Sequence, residues 1–229
     1  MLEGILLEGF IYGIMALGVF ITFRILDFPD MTVDGSFPMG AAIVAAMITN
    51  GFHYTTALIA AIAGGLAAGG VTALIHIKLK IHNLLAGILT FTMLYSVNIR
   101  IMGNKANQAI IGKYTLFTWI HNSFDGFVTY IQKLFGAAPN TTVSEILFFL
   151  VVIAAVKFLL DIFFHTEMGL AMISMGDNPK MVISLGINDS AMKLIGVSLA
   201  NGLVALSGGF AAMFIGFGDI NLGQGIIIS

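Results

Sequence analysis

Asp27, Asp30 and Asp34 stand within eight residues of one another in "RILDFPDMTVDGSF" (24–37), between two apolar runs. Carboxylates this dense in an apolar chain can do three kinds of work. They can attract an ammonium group, bind a proton or sodium ion, or accept the free N–H groups at a helix start. Facing lipid they would be costly, at about 2.5–3.5 kcal/mol per aspartate in mid-membrane. Three together would cost on the order of 10 kcal/mol, comparable with the whole stability of a domain. They must therefore sit in water at a membrane face or look into a polar cavity. A plain polar loop between two spans is the simplest alternative.

Part of the pattern returns near the end of the chain. "FPDMTVDGS" (28–36) aligns without gaps to "FGDINLGQG" (217–225). Phe28 matches Phe217, Asp30 matches Asp219, and Met31, Thr32 and Val33 face Ile220, Asn221 and Leu222. Asp34 has no acidic counterpart. Each copy follows a long apolar run, and interrupted segments at matching places in two inverted halves point to a transport path. The residues expected to line it are Asp30, Thr32, Asp34 and Ser36 in the first copy and Asp219 and Asn221 in the second. Asp30 or Thr32, and Asp219 or Asn221, can also cap short helices whose positive ends suit a substrate carboxylate. The aspartates themselves suit an ammonium group. An amino acid carries both charges and fits either polarity.

These residues need a membrane around them. The chain has 229 residues, 58% hydrophobic and only 10% charged, against about 25% charged in soluble domains. A net charge of −2 leaves no basic footprint for nucleic acid. The absence of cysteine rules out a disulfide framework and a thiolate metal site. Histidines 53, 76, 82, 121 and 165 show no metal-ligand spacing, and no Gly-x-Ser-x-Gly elbow occurs. The nearest approach to a phosphate-binding loop is "NQAIIGKYT" (107–115), with Asn107 where the first glycine belongs and Tyr114 after Lys113. Without that backbone cradle the chain is not expected to hydrolyse nucleotide, to be an enzyme, or to hold a cofactor or metal of its own.

A membrane-spanning helix needs about 20 mostly apolar residues. Ile5–Phe23, Thr55–Ile75, Leu84–Met102, Val143–Phe164 and Leu194–Gly218 come near that length, and Phe37–Thr49 qualifies only if it begins inside the aspartate segment. Glu3 and Glu8 replace the basic start of a cleavable leader, so the first run is expected to be a span. At the other end "GIIIS" opens an apolar run that stops at Ser229, and a longer parent chain with a further C-terminal bundle is expected. The fold class is thus all-α, a polytopic transmembrane bundle with interrupted helices and an inverted repeat, read as one domain over 1–229.

Lys78 and Lys80 in "HIKLKIHN" (76–83) assign that turn to the cytoplasm. Counting from it, the N-terminus and residues 102–142 lie outside, and the aspartate segment begins at the inner side with 165–193. The aromatic-rich stretch 114–136, with the sole tryptophan, Trp119, reads as an interfacial helix. In "AAIAGGLAAGGVTA" (60–73) Ala60, Gly64 and Ala68, and beside them Gly65 and Gly69, recur every four residues and are packing surface. Lys157 and Asp161 are spaced to pair.

"GDNPKMVISLGIND" (176–189) is the most structured polar stretch. Asn178 as N-cap, Pro179 at the first helical position and Gly186 as left-handed terminator predict a helix over Pro179–Leu185. Met181, Val182 and Leu185 should share one side of it, and Asn188 or Asp189 should cap the next span. Two turns are unstable alone in water, so the helix needs the membrane face of its own protein or the groove of a partner.

The stretch resembles the cytoplasmic loop of the permeases of branched-chain amino acid and ribose-type ABC importers. Gly176, Asn178, Gly186, Ile187 and Asn188 fill the loop pattern, with Met181-Val182 where a small pair is usual. The span "KLIGVSLANGLVALSGGFAAMFIGFGDINLG" (193–223) is similar to the one that follows that loop, and Phe28, Gly35-Ser36 and "PMGA" fit the opening segment. The wording is closest to a branch associated with tryptophan and tyrosine uptake. The resemblance implies a multi-pass permease of the bacterial plasma membrane, paired with a second permease copy. It implies an extracytoplasmic solute-binding protein and a cytoplasmic ABC ATPase that binds the ATP. The ATPase would grip residues 165–192 as a coupling segment, at Gly176, Asn178, Pro179, Lys180, Met181, Val182, Leu185 and Gly186. The alternative is a secondary transporter or channel driven by an ion gradient, with Asp30 and Asp219 as coupling ligands.

Overall fold

A computed structural model describes residues 2–123, 126 and 142–223. Among them five helices are long and apolar enough to cross a membrane. They are α1 (Leu2–Phe20), which runs on into a π-helical turn at Ile21–Ile25, α3 (Tyr54–Leu79), α4 (Asn83–Ile101), α6 (Thr142–Phe164) and α9 (Asp189–Ile215). The expected spans overlap these helices and overrun them by three residues or fewer. Helix α2 (Val33–Thr49) does start inside the aspartate segment. Shorter helices are α5 (residues 116–123 as described), α7 (Glu167–Asp177) and α8 (Pro179–Ser184). Two three-residue strands, β1 (Asn107–Ala109) and β2 (Phe217–Asp219), pair antiparallel in an otherwise all-α chain.

The helix ends follow local chemistry. His53 Nδ1 accepts the Thr55 N–H ahead of α3, Thr166 Oγ1 accepts the Gly169 N–H ahead of α7, and Asn188 Oδ1 accepts the Ala191 N–H ahead of α9. These side chains satisfy donors that a helix start leaves free.

Lipid is as apolar as leucine, so burial alone does not hold helices together inside it, and close packing must. α9 and α2 are the innermost helices. α9 runs antiparallel to α1, with Ser207 Oγ donating to the Ile11 carbonyl (2.6 Å) and Gly18 against Ala200. It runs parallel to α2, and the two backbones nearly touch: a methyl group on Gly40 would collide with the Ala205 carbonyl, and one on Gly208 with the Phe37 carbonyl. The small-residue stripe of α3 does the same work from the other side. Gly65 meets the Asn201 carbonyl and Gly69 the Val197 carbonyl, while Gly64 faces Ile43 of α2. Helix α6 is peripheral, exposing Leu150, Val151, Phe158, Leu159 and Ile162, with the Lys157–Asp161 pair at 2.7 Å on its surface.

Of the stretch expected to form an interfacial helix, residues 124–125 and 127–136 lie outside the described residues. In α5, Phe117 stacks on Phe149 of α6 (5.7 Å), and the Trp119 ring lies 6.5 Å from Tyr54 and 6.1 Å from Phe148. This part of the outer segment is packed on the bundle.

A matched pair of substitutions tests the α2–α9 crossing. Gly208→Ala should destabilise by about 1–3 kcal/mol through overpacking, read as earlier loss of the monodisperse peak on heating in detergent. Gly9→Ala, at an exposed site on α1 with nothing within 4 Å, should be neutral or stabilising by up to about 1 kcal/mol.

Candidate functional site

α1 leaves its α-helical path at the π-turn, where the Leu26 N–H reaches back to the Ile21 carbonyl (3.1 Å) and the Phe28 N–H to Thr22 (2.9 Å). Asp27 then takes a left-handed conformation (φ 48°), a state that aspartate tolerates better than most residues. This turns the chain into the bundle. Leu26 packs on Gly196 of α9, and Phe28 meets His76 of α3 edge-on at 5.4 Å. The chain reaches Asp30 with both carboxylate oxygens engaged. Oδ1 accepts the Thr32 N–H (2.8 Å) and Oδ2 accepts from Asn201 Nδ2 (2.7 Å).

Asn201 is the hub of the junction. Its second amide hydrogen goes to the Val197 carbonyl (2.9 Å), and its oxygen accepts from Ser36 Oγ (2.6 Å). Thr32 Oγ1 and Thr72 Oγ1 are 2.7 Å apart, with Thr72 donating onward to the Ala68 carbonyl (3.2 Å). Asn98 of α4 donates to the Gly35 carbonyl (3.3 Å). Asp30, Thr32, Ser36, Thr72 and Asn201 are fully buried. No cationic side chain pairs with Asp30 among the described residues; N–H donors take that place, as buried carboxylates require. Asn201 lies twelve residues into α9, about 18 Å along the axis. The junction is at membrane depth, closed within the protein.

Of the expected path residues, the structure brings Asp30, Thr32 and Ser36 together. Asp34 sits beside them in the first turn of α2, where a negative charge meets the positive end of the helix. The Thr32 hydroxyl does not cap α2, because it is turned to Thr72; Asp30 takes the Thr32 N–H just ahead of the helix. Asp219 and Asn221 belong to the opposite end, since α9 runs antiparallel to α1. There Asp219 Oδ2 accepts from Asn107 (3.3 Å) across the ribbon, and Gln108 Nε2 donates to Thr49 Oγ1 (2.6 Å) at the end of α2. The alignment of the two segments is repeated in local geometry. Asp219 Oδ1 accepts the Asn221 N–H at 2.7 Å, as Asp30 Oδ1 accepts that of Thr32.

Sequence reasoning missed Asn201, Thr72 and Asn98. Asn201 had a signal: it is a strongly polar amide inside a 25-residue run without charge (194–218), and such groups in a span find partners or line a path. Thr72 had none, because a threonine in a helix can bond its own backbone.

At the other functional stretch the short helix covers Pro179–Ser184. Asn178 Oδ1 accepts the Met181 N–H (3.2 Å), and Gly186 ends the turn at φ 83°. Leu185 is the cap residue and not part of the helix. The expectation that Met181, Val182 and Leu185 share one side fails. Val182 is buried, while Met181 (48%), Ile183 (54%) and Leu185 (69%) are exposed. With one inward anchor the helix can lie on its own protein while its other residues point away. Lys180 and Pro179 are exposed as well. Gly176, at the end of α7, packs against the Ile25 carbonyl of the π-turn so closely that no side chain fits. Among the described residues no cluster of three His, Asp or Glu side chains could hold a metal.

The whole chain, residues 1–229, matches the family described as "Branched-chain amino acid transport system / permease component". It is 45% identical over 224 residues to the "Tyrosine transport system permease protein" of Clostridioides difficile, covering 98% of this chain and 68% of that one. It is 34% identical over 214 residues to an uncharacterized protein of Rickettsia prowazekii, covering 93% of this chain and 68% of that one. No solved structure matches.

The hub role of Asn201 predicts an asymmetric cost. Asn201→Leu strands Asp30 Oδ2 and Ser36 Oγ and should destabilise by about 2–4 kcal/mol. Asn107→Leu removes only a long, exposed contact to Asp219 and should stay within about 0.5 kcal/mol. Thermal unfolding in detergent reads both.

Proposed function

Because the chain belongs to the permease family of branched-chain amino acid transport systems, we propose that it is the membrane-spanning subunit of an ABC importer, moving an amino acid by ATP hydrolysis on a partner. It is a multi-pass membrane permease component of a transport system. The observation that carries the finer reading is the exposed trio Met181, Ile183 and Leu185 on a capped helix anchored by Val182. Exposed apolar side chains on so short a helix outside the spans favour a protein groove as their cover. The ATPase subunit supplies that groove and holds the nucleotide, and this chain carries no cofactor.

A route from the groove to the membrane interior supports the reading. α8 follows α7 directly, and Gly176 of α7 bears on the Ile25 carbonyl. Behind Ile25, the side chains of Leu26, Phe28, Met172, Ala73 and Val197 form one buried cluster. A displacement of α8 driven by the ATPase would reach Asp30 and Asn201 through packed groups with little slack. Rearrangement of the junction would then open or close the path along α2. A second permease copy completes the path, and a solute-binding protein delivers the substrate at the far face. The tyrosine transport name of the C. difficile relative makes an aromatic amino acid the favoured substrate class.

Leu185→Asp puts a charge into the proposed ATPase groove. In the reconstituted transporter it should leave ATP hydrolysis running while uptake falls at least tenfold; unchanged coupling would overturn the assignment of α8. Asp30→Asn and Asp219→Asn should each reduce uptake of a labelled aromatic amino acid in membranes with normal permease levels. Wild-type transport by both variants would remove the two segments from the path.

A further inference from the structure

A groove of about 390 Å³ lies where the π-turn, the end of α6 and α7 meet, lined by Phe20, Arg24, Ile25, Phe164, Ile173 and Asp177. Its apolar members are the last residues of two membrane spans, Phe20 of α1 and Phe164 of α6, with Ile25 and Ile173 beside them. Its charged members, Arg24 and Asp177, each stand four residues further along the chain from an apolar one, Phe20 and Ile173. Both are exposed. Neither makes an ion pair with the other or with anything else among the described residues. The groove therefore has an apolar floor at the end of the spans and a rim bearing one positive and one negative group that do not neutralise each other.

We propose that this groove binds one aminophospholipid from the leaflet at that end, its phosphate on Arg24 and its primary ammonium on Asp177. The exposed face of α6, with Phe158, Leu159 and Ile162, continues the floor along the bilayer and accepts an acyl chain. A guanidinium is well suited to a phosphate. The carboxylate distinguishes among headgroups. It repels a purely anionic phosphatidylglycerol, and it cannot receive a hydrogen bond from the methylated ammonium of phosphatidylcholine. A primary ammonium satisfies it with N–H donors.

The location gives the lipid a mechanical consequence. Gly176 bears on the Ile25 carbonyl at the edge of the same groove. A headgroup bridging Arg24 to Asp177 ties α7 to the π-turn, so it would stiffen the joint between the polar segment and the first span. The binding inference does not depend on which solute the permease moves.

The test is native mass spectrometry of the delipidated full chain titrated with phosphatidylethanolamine, phosphatidylglycerol or phosphatidylcholine. Wild type should retain phosphatidylethanolamine about threefold or more over the other two, in line with one exposed charge contact. Arg24→Gln should lower its retention by a similar factor. Asp177→Asn should abolish the preference over phosphatidylglycerol while leaving total phospholipid near wild type. Both sites are exposed, so melting temperatures should not move, and Lys80→Gln at another exposed cation serves as the control. Equal retention of the three lipids by wild type, or an unaltered preference in both variants, would overturn the proposal. Displacement of the lipid by added ATPase subunit would overturn it in favour of a protein interface.

Discussion

The side-chain amide of Asn201 is the contact on which the interior depends. It donates to Asp30, accepts from Ser36 and keeps its second hydrogen for its own helix. Among the described residues no cation pairs with this buried aspartate, so its carboxyl oxygens need hydrogen-bond donors. Asn201 and the Thr32 backbone supply them, and the bend at Asp27 delivers the carboxylate to them. Removing the amide would leave Asp30 Oδ2 without its donor and the Ser36 hydroxyl without its acceptor, both fully buried, which explains why a side-chain amide stands in the middle of this span.

That contact requires the helices to be very close. Ser36 reaches Asn201 because α2 and α9 approach to backbone contact at Gly40 and Gly208, and α3 closes on the far side of Asn201 through Gly65. Small residues and polar bonds thus serve one purpose in this bundle. The glycines bring backbones within reach, and the buried hydroxyl and amide groups set the register. Peripheral α6 contains no glycine and exposes Leu150, Val151, Phe158, Leu159 and Ile162.

The arrangement joins two ends of the molecule that are built differently. At one end a capped helix with exposed apolar residues rests on α7, and α7 rests on the π-turn that leads to Asp30. At the other end Asp219 forms the same local turn as Asp30 but remains at the surface, tied to Asn107. Equal local geometry with unequal burial means that the two copies are chemically related but differently placed. The first is locked inside the bundle, and the second is held by a ribbon three residues long.

The sequence by itself determined the membrane class, the spans to within a few residues, and the capped helix at Pro179. These rest on local quantities: apolar length, an asparagine cap, a proline at the first helical position and a glycine beyond the end. The aligned segments also pointed to a shared local turn at Asp30 and Asp219, which the structure repeats because that turn is closed within two residues. Only the tertiary structure decided that Asp30 is buried, since its partner Asn201 is 171 residues away. Only the tertiary structure could divide Met181 and Leu185 from Val182, because which side of a two-turn helix faces inward depends on what lies beneath it. Arg24 and Asp177 likewise meet in one groove only because α7 folds back onto the π-turn, a contact between backbones that no local spacing encodes.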